Sequence, residues 1–486
     1  MSAISIRRCT AIAATAVVML ILWLLVEDFG AITSRDLGTD ASQNVLSSIN
    51  LVRHGVYSMQ PISPDVVPGF RREPFPNFLL AFYLKMAHVL SPGLLDQVRQ
   101  PFNDDFLILI KQINLVWAAG LFLGLWLTSV LVFAPMLAAH ALAFVQILMV
   151  NHFFVVKMIN GMNTELIASM VMVWLGAVLL MALRGPSLRW LLIAGVVFGM
   201  LALTKATGAY VALVVCPAVA LAMAGISKRF WVSLLAFSFG FALAVMPWLL
   251  RNQLLFSKPV IAQGGGDVLL IRSAFNRMNA QEFADAFYAY APRALRRDLL
   301  GPWMNLSDAD FSCSGRLAVF KRNLDCDQRA LKEARYGDVR SFYQQGKRAI
   351  PKALSLDRDQ KKSMALASFR ERPLNALVTS IPIGWRGFWG FRVRTWPSIV
   401  LNFLAYSALL LSPFYALLAR RLSWLMVSIV PVSFFLFYGL FSHFLPRYST
   451  PFIPASLICL TMFVVDLGVR LWRRVRPGSV AIVKVN

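Results

Sequence analysis

The sequence has few charged residues for its length. Only 15% of its 486 residues are Asp, Glu, Lys or Arg, whereas 58% are hydrophobic. A soluble domain is usually nearer half apolar and one quarter charged, so this composition excludes an ordinary soluble protein. Apolar runs of about 16 to 24 residues instead recur along most of the chain, a pattern typical of a polytopic helical membrane protein.

Histidine and cysteine are also scarce, with five of each. None of the histidines has the spacing of zinc ligands. The glycine-rich GGGD at residues 264–267 lacks the Gly-Lys-Ser/Thr that follows in a phosphate-binding loop. No motif therefore predicts a metal site, although two converging carboxylates can hold a divalent cation.

Acidic residues are half as frequent as basic ones. The chain has 24 Asp and Glu against 48 Lys and Arg, a formal net charge of +24 at pH 7. On a membrane protein such an excess first reports orientation, because Lys and Arg concentrate in cytoplasmic loops. Charges attached to a bilayer also meet membrane lipids, and nucleic acid is not expected as a partner.

The apolar runs predict an all-α polytopic membrane protein with about ten transmembrane helices, since roughly 20 residues cross a bilayer. Two further segments, 40–54 and 77–91, are amphipathic or short and are expected to be interfacial helices. The predicted spans are 10–26, 108–131, 133–150, 165–184, 189–204, 207–224, 229–250, 396–418, 422–441 and 450–471.

Basic residues orient this arrangement. The first span follows the basic flank Ser5–Thr10 and is not followed by a small-x-small cleavage site, which predicts an uncleaved signal anchor. The protein is expected in the inner or plasma membrane. If 77–91 does not cross that membrane, all the short basic loops and both termini are cytoplasmic. These loops contain Arg184 and Arg189, Lys228 and Arg229, Arg420 and Arg421, and Arg470, Arg473, Arg474 and Arg476.

The same orientation divides the chain into three parts. Residues 1–250 form a transmembrane module with a first outer loop at 27–107, residues 251–395 form a mostly helical extracytoplasmic domain, and residues 396–486 form C-terminal transmembrane helices and a cytoplasmic tail. The outer domain has 25 Lys and Arg against 13 Asp and Glu, which suggests an anionic ligand such as a lipid phosphate, or else a solvated surface touching lipid headgroups. Its Cys313 and Cys326 can pair if they face an oxidising compartment.

Polar residues at the predicted outer ends of the helices are the candidates for chemistry. The first is Asp40, with Asp36 nearby, at the start of an interfacial helix. Asp40 is either the N-cap of that helix or a general base, or an anchor for a metal or acceptor, at the mouth of a membrane cavity. Next come Arg71, Arg72 and Glu73, ahead of prolines that start a helix. The arginines either snorkel to lipid phosphates or clamp one specific phosphate.

Further candidates lie at the outer ends of later spans. Glu165 follows Thr164 at the start of an apolar helix, where a capping role competes with a functional one. Lys205 lies at another outer boundary, and Arg447 with Tyr448 precedes the last span. A cation at that level suits a lipid-linked phosphate, so opposite charges are available to converge on one side of the membrane.

The order of these motifs resembles the GT-C superfamily of integral-membrane glycosyltransferases. The likeness is to the bacterial protein O-mannosyltransferase and aminoarabinose-transferase branch, which uses polyprenyl-phosphate sugars, and it runs in order from residue 30 to residue 455. It consists of the segment Asp40–Ser58, of Arg72, Pro74 and Pro76, of Thr164 and Glu165, of Leu203, Thr204 and Lys205, of Pro247, Trp248, Arg251 and Asn252, and of Arg447, Tyr448 and Pro451.

The resemblance implies an inverting glycosyltransferase that moves a sugar from a polyprenyl-phosphate donor to an envelope glycan, lipid or protein at the extracytoplasmic face. It implies that Asp40 activates the acceptor and that cations stabilise the leaving phosphate. Glu165 is the second catalytic candidate, expected to orient an Arg or Lys, or the acceptor, although a double displacement would use it as a nucleophile. The implied phosphate-binding cations are Arg72, Lys205 and Arg447, and further site candidates are Asp36, Glu73, Tyr448, Arg251 and Asn252.

Two alternatives stay open. A transporter or flippase of lipid-linked sugars would also have many spans with charged ends, although such proteins often contain inverted repeats and none is visible here. A noncatalytic relative in envelope assembly is compatible with Ala41 and Asn44, which replace acidic or aromatic positions that follow the Asp in the family.

Overall fold

The computed structural model describes residues 3–185, 187–391, 393–475 and 484–485. Arg476 and the rest of the predicted cytoplasmic tail, apart from residues 484–485, lie outside the described residues. Within the described ranges the chain is helical except for loops and one antiparallel pairing of two-residue strands, β1 (Phe133–Ala134) and β2 (Lys484–Val485). The predicted all-α class is confirmed.

The chain divides into two compact units. The first comprises residues 1–263, 405–433 and 451–486, and the second comprises residues 264–404 and 434–450. The second unit therefore includes the segment before the last span, which lies far along the chain from its other residues. It does so because the Ser449 hydroxyl donates to the Gly387 carbonyl and the Phe444 ring packs closely on Gly387.

The first unit contains most of the apolar helices. A π-helical turn, Asn151–Val155, joins two of them. The helices of its continuous part are α1 (Ala3–Gly30), α2 (Thr39–His54), α3 (Pro74–Leu90), α4 (Asp104–Lys111), α5 (Ile113–Val132), α6 (Met136–Val150), α7 (Val156–Met158), α8 (Glu165–Arg184), α9 (Leu188–Thr204), α10 (Gly208–Ala224) and α11 (Lys228–Phe256).

The second unit is built of shorter helices, and two long helices run from one unit into the other. The helices of the second unit are α12 (Gly265–Phe275), α13 (Ala280–Tyr290), α14 (Arg293–Leu295), α15 (Gly301–Met304), α16 (Asp325–Lys332), α17 (Phe342–Gln344), α18 (Ile350–Ala353), α19 (Arg358–Glu371), α20 (Pro373–Phe388) and, later in the chain, α23 (Pro446–Ser449). The two shared helices, which come before α23, are α21 (Trp396–Leu418) and α22 (Leu422–Phe441), and the last helix of the described residues, α24 (Ile453–Val475), belongs to the first unit.

Eight helical stretches in the described part of the chain are long and apolar enough to cross a membrane. The shorter apolar helices α9 and α10 have 17 residues each, near the lower limit for a crossing, and bring the number to the predicted ten. The protein is an integral membrane protein. The predicted interfacial segments 40–54 and 77–91 correspond to α2 and α3.

Close backbone contact between α9 and α11 depends on two glycines. A Cβ added to Gly195 would lie 2.1 Å from the Phe237 carbonyl oxygen, and one added to Gly240 would lie 2.1 Å from the Leu192 carbonyl oxygen. Small residues allow helices in a bilayer to approach in this way, and the gain is van der Waals contact. Lys205 directly follows α9 and Arg251 lies in α11, so this contact holds the two helices to which these cations belong.

The second unit contains a disulfide between Cys313 and Cys326, whose Cα atoms are 6.0 Å apart. We expect non-reducing mass mapping of the protein to recover the two cysteines in one linked peptide. In the chain-entropy model a bridge across such a short loop contributes about 3 kcal/mol. Replacing both cysteines by serine should therefore lower the unfolding temperature, whereas Cys9→Ser, a free cysteine in α1, should not. Recovery of both thiols in free form would contradict this prediction.

Candidate active site

Asp40 lies in the first turn of α2 and forms an ion pair with Arg72. The N-cap of α2 is Gly38, so Asp40 does not have the capping role that the sequence left open. Its charge is still favoured by the positive end of the helix dipole. The Asp40 side chain is 41% exposed, so a second molecule can reach it while the pair with Arg72 is formed.

Arg72 is positioned by the backbone on which Tyr57 packs. The Tyr57 hydroxyl is within hydrogen-bond distance of the Arg72 and Glu73 carbonyl oxygens, at 3.0 and 3.2 Å. It also accepts a hydrogen bond from the Asn77 side chain at 2.7 Å. Burial raises the pKa of Tyr57 well above its usual value, so the hydroxyl keeps its proton.

The guanidinium of Arg72 has an unused donor. One amino group, Nη2, donates to Asp40. The buried Nε has no hydrogen-bond partner among the residues that the structure describes. A guanidinium can bind an anion through two parallel N–H groups, so Arg72 can donate to a phosphate oxygen through its free Nε.

The substitution Tyr57→Phe is expected to lower both stability and function. It removes a buried hydroxyl and leaves the Asn77 amide short of a partner, at a cost of about 1 kcal/mol, and it loosens the backbone that holds Arg72. Unfolding temperature and sugar transfer measured together would check this. Tyr83→Phe is the matched control, because the Tyr83 hydroxyl also bonds half-buried helix ends, at Leu109 and Gln112. Equal loss of transfer in both variants would contradict the assigned role of Tyr57.

Glu165 and Lys205 form a second ion pair. Glu165 is the first residue of α8 and only 4% of its surface is exposed. Lys205 lies directly after α9, and its Nζ is 3.4 Å from Glu165 Oε1. A carboxylate buried at a span boundary is costly without a cation, so this pairing explains how Glu165 is tolerated there.

A hydrogen bond links the start of α2 to the segment before α8. Asn44 lies one helical turn after Asp40, and its side chain donates to the Met162 carbonyl at 3.0 Å. Met162 precedes Glu165 by one short turn in the chain. The two carboxylates therefore belong to neighbouring segments of the first unit. Asn44, which departs from the family pattern, makes this link.

Three cations follow directly on one apolar cluster. Arg72 comes shortly after Phe70, Lys205 after Leu203, and Arg251 after Trp248. The tertiary structure thus brings together three distant parts of the sequence, each of which is followed by a cation. The buried members of the cluster are Tyr57, Phe70, Ala202, Leu203, Val245, Trp248 and Ile261.

Arg251 and Asn252 hold the chain around that cluster. The Arg251 guanidinium stacks 4.5 Å from the Trp248 ring centre and donates to the Gly69 carbonyl at 3.2 Å. Asn252 is fully buried, and its side chain donates to the Val260 carbonyl at 2.7 Å. Both residues therefore fasten loops to α11.

The side chains of two other predicted site residues, Glu73 and Asp36, take no part in the two ion pairs. Glu73 occupies the N-cap position of α3 without a side-chain capping bond, and its backbone carbonyl meets the Tyr57 hydroxyl. Asp36 is exposed in the segment before α2. Neither side chain is held in the ion pairs of Asp40 or Glu165.

Sequence reasoning missed Lys111, which anchors the loop that carries Asp36 and leads to Asp40. Its side chain is fully buried, and Nζ donates to the backbone carbonyls of Thr33 and Arg35, both at 2.6 Å. The signal was visible as a single lysine inside the apolar run at 106–118. A buried lysine in such a run needs oxygen partners, and here the first loop provides them.

Arg447 and Tyr448 belong to the second unit. Arg447 is exposed, and its guanidinium lies 6.0 Å from the ring centre of Tyr448. The Tyr448 hydroxyl is 3.5 Å from His443 Nε2. Their role at a donor phosphate stays a prediction from the sequence.

No family model and no curated protein sequence matches the chain. Among solved structures, the chain is similar to the oligosaccharyltransferase AglB from Archaeoglobus fulgidus in complex with an inhibitory peptide and a dolichol-phosphate. The identity is 13% and the TM-score 0.47, over 96% of this chain and 52% of that one. The complex of the same organism's oligosaccharyltransferase with Zn and sulfate is 12% identical, with a TM-score of 0.47, over 93% and 50%.

A third similar structure is ArnT from Cupriavidus metallidurans in the apo state. It is 13% identical, with a TM-score of 0.35, over 96% of this chain and 81% of that one. The chain thus spans about half the length of the archaeal chains.

Proposed function

We propose that the protein is a membrane glycosyltransferase that moves a sugar from a polyprenyl-phosphate donor to an envelope glycan, lipid or protein, with inversion. The observation that carries this proposal is the ion pair of Asp40 and Arg72 in the first outer loop. It joins a carboxylate that can act as a base to a cation with a donor left for phosphate, at the positions where the GT-C motifs have them.

The proposed reaction uses Asp40 as the base and Arg72 and Lys205 as the cations. Asp40 takes the proton of the acceptor hydroxyl or amine as that atom attacks the anomeric carbon. The bond between this carbon and the donor phosphate oxygen breaks, and the polyprenyl phosphate leaves with the electron pair. Arg72 and Lys205 stabilise the negative charge that develops on the leaving phosphate.

Arg72 serves two anions in this mechanism. A donor phosphate that binds its Nε and Nη2 groups competes with Asp40 for the same guanidinium. Binding of the donor would then leave Asp40 available to the acceptor proton. Donor binding and activation of the acceptor are coupled in this way.

The environment of Glu165 favours one displacement over two. A double displacement needs a second carboxylate that attacks the sugar. Glu165 is buried and its carboxylate is paired with Lys205, so it is better suited to hold that lysine toward the leaving phosphate. One displacement by the acceptor inverts the anomeric centre.

We propose that transfer needs no divalent cation, because each candidate catalytic carboxylate already has a basic partner. No group of three or more His, Cys, Asp or Glu side chains that could hold a metal occurs in the ranges that the structure describes. Asp40 and Glu165 are each paired with a basic side chain, which already balances the charge that a metal would neutralise. We therefore expect transfer to persist in excess EDTA at an unchanged rate. Loss of transfer that added Mg²⁺ or Mn²⁺ restores would contradict this.

The proposed side of the membrane follows from the basic loops, which place both termini in the cytoplasm and Asp40 outside. The test is transfer by purified protein in liposomes, supplied with a panel of polyprenyl-phosphate sugars and a crude envelope-lipid acceptor. Consumption of one donor that requires the acceptor and Asp40 supports the proposal. No consumption across the panel by folded protein overturns it and favours a transporter or a noncatalytic relative.

A further inference from the structure

The second unit contains a group of cations, aromatic hydroxyls and a histidine, which we name the basic cluster. The Arg322 guanidinium lies 4.1 Å and the Lys347 Nζ 5.3 Å from the ring centre of Tyr343. The cluster consists of Arg322, Lys347, Arg386 and His443, together with Tyr290 and Tyr343.

Arg386 joins the two sides of the basic cluster. Its guanidinium lies 4.7 Å from the ring centre of Tyr290 and donates to the His443 carbonyl at 3.2 Å. The Tyr343 and His443 rings are in edge contact, with centres 5.3 Å apart. These six side chains therefore form one continuous group within the unit.

The basic cluster has no negative partner of its own. Within the described residues, no salt bridge joins Arg322, Lys347 or Arg386 to a carboxylate, and the charges that act on Arg386 come only from arginine and tyrosine side chains. Other cations of the unit do have carboxylate partners, as Arg316 does in Asp285 at 2.5 Å. Arg386 is only 8% exposed, so an uncompensated charge there is costly.

Several polar atoms of the cluster also lack a hydrogen-bond partner. Arg322 Nε, the Tyr290 hydroxyl and His443 Nδ1 are buried and have none among the described residues. The contrast is Arg272, a fully buried guanidinium that donates to the Ala376 carbonyl at 2.7 Å and to Thr379 at 3.2 Å. Buried polar atoms are nearly always satisfied, so three such atoms in one place require a partner.

The electrostatics of the cluster favour an anion. Burial, and then the positive charges of Arg386, Arg322, Arg447 and Lys347, lower the pKa of His443 well below its usual value. Burial alone would raise the pKa of Tyr343, but the hydrogen bond from Lys347 and the charges of Arg322 and Lys347 outweigh it and lower this pKa. Neighbouring positive charges contribute to both shifts, after burial at His443 and against burial at Tyr343, and a bound anion would offset these charges.

We propose that the basic cluster is a binding site for a phosphate group. A phosphate offers several acceptor oxygens, which suit Arg322 and Lys347 at the exposed side and the unpartnered atoms of Tyr290 and His443 at the buried side. Lys347 is exposed, so the group enters from that side. The phosphate belongs either to a lipid headgroup or to a free phosphorylated compound. This site does not depend on the transfer reaction proposed above.

The test uses the full-length protein in a nonionic detergent and two probes, radiolabelled inorganic phosphate in equilibrium dialysis and short-chain phosphatidic acid in a thermal-shift assay. We expect saturable binding of one phosphate per chain and an increase of the unfolding temperature. Arg322→Gln and Lys347→Gln should each weaken binding at least about tenfold, as expected for loss of a charged hydrogen bond. Arg348→Gln is the matched control, since Arg348 is an exposed cation beside Lys347 that is not in the cluster.

Each outcome decides the proposal. Inorganic phosphate bound as tightly as phosphatidic acid supports a free phosphorylated ligand, whereas phosphatidic acid bound at least about tenfold more tightly supports a lipid headgroup. Absence of saturable binding of both probes, or equal loss in Arg348→Gln and Lys347→Gln, overturns the site. Lys347 is exposed, so its variant keeps the test valid if Arg322→Gln does not fold. Binding without sugar transfer, or the reverse, separates this proposal from the proposed function.

Discussion

Replacement of Asp40 by asparagine is expected to reduce the rate of sugar transfer about 10²- to 10⁴-fold, the usual contribution of a general base. Asparagine keeps the shape of the side chain but cannot take the acceptor proton. It also loses the charge that pairs with Arg72, which then binds the donor phosphate without competition. We therefore expect kcat to fall while KM for the donor stays equal or decreases.

Asp36→Asn is the control for this experiment. Asp36 is a nearby carboxylate in the same loop, and it is exposed. Its removal changes the net charge of the loop equally and should leave transfer within about twofold of wild type, as for most surface substitutions. Full activity of Asp40→Asn, or equal loss in the two variants, would show that Asp40 is not the base.

Replacement of Lys205 by methionine is expected to affect stability and transfer together. Methionine fills a similar volume but leaves Glu165 buried without its cation, and breaking a buried pair from one side costs about 3–5 kcal/mol. It also removes one of the cations proposed to stabilise the leaving phosphate, with an expected loss of transfer of roughly 10²-fold or more. Unfolding temperature and single-turnover transfer measure the two effects separately.

The double variant Glu165→Gln with Lys205→Met separates the structural role from the chemical one. With both charges removed no buried carboxylate lacks a partner, so we expect the unfolding temperature to recover in large part. Transfer should remain low, because the cation at the phosphate is still missing. Recovery of transfer along with stability would mean that Lys205 only balances Glu165.

The order of the helices could be predicted from the sequence because membrane spans are local features. A run such as Glu165–Arg184 is apolar over its whole length, and within a bilayer a chain must satisfy its backbone polar groups internally. The prolines at 74 and 76 similarly predicted the start of α3. Both features depend on neighbouring residues alone.

The candidate site could be predicted only as a set of separate residues. The motif order indicated Asp40, Arg72, Glu165 and Lys205, but their pairings join residues 32 and 40 positions apart. Lys111 and Asn44 were not predicted as parts of the site. Lys111 reaches Thr33 across 78 positions, and Asn44 reaches Met162 across 118. No local pattern encodes such contacts.

The sequence by itself determined the membrane class, the positions of the apolar helices and the residues available for chemistry, because each of these depends on composition and spacing along the chain. The tertiary structure decided which carboxylate meets which cation and which side chains hold the loops. It also decided that the cations of the basic cluster in the second unit lie together without a carboxylate. These outcomes depend on how helices pack, through contacts such as Gly195 on Phe237, and packing unites residues that are remote in sequence.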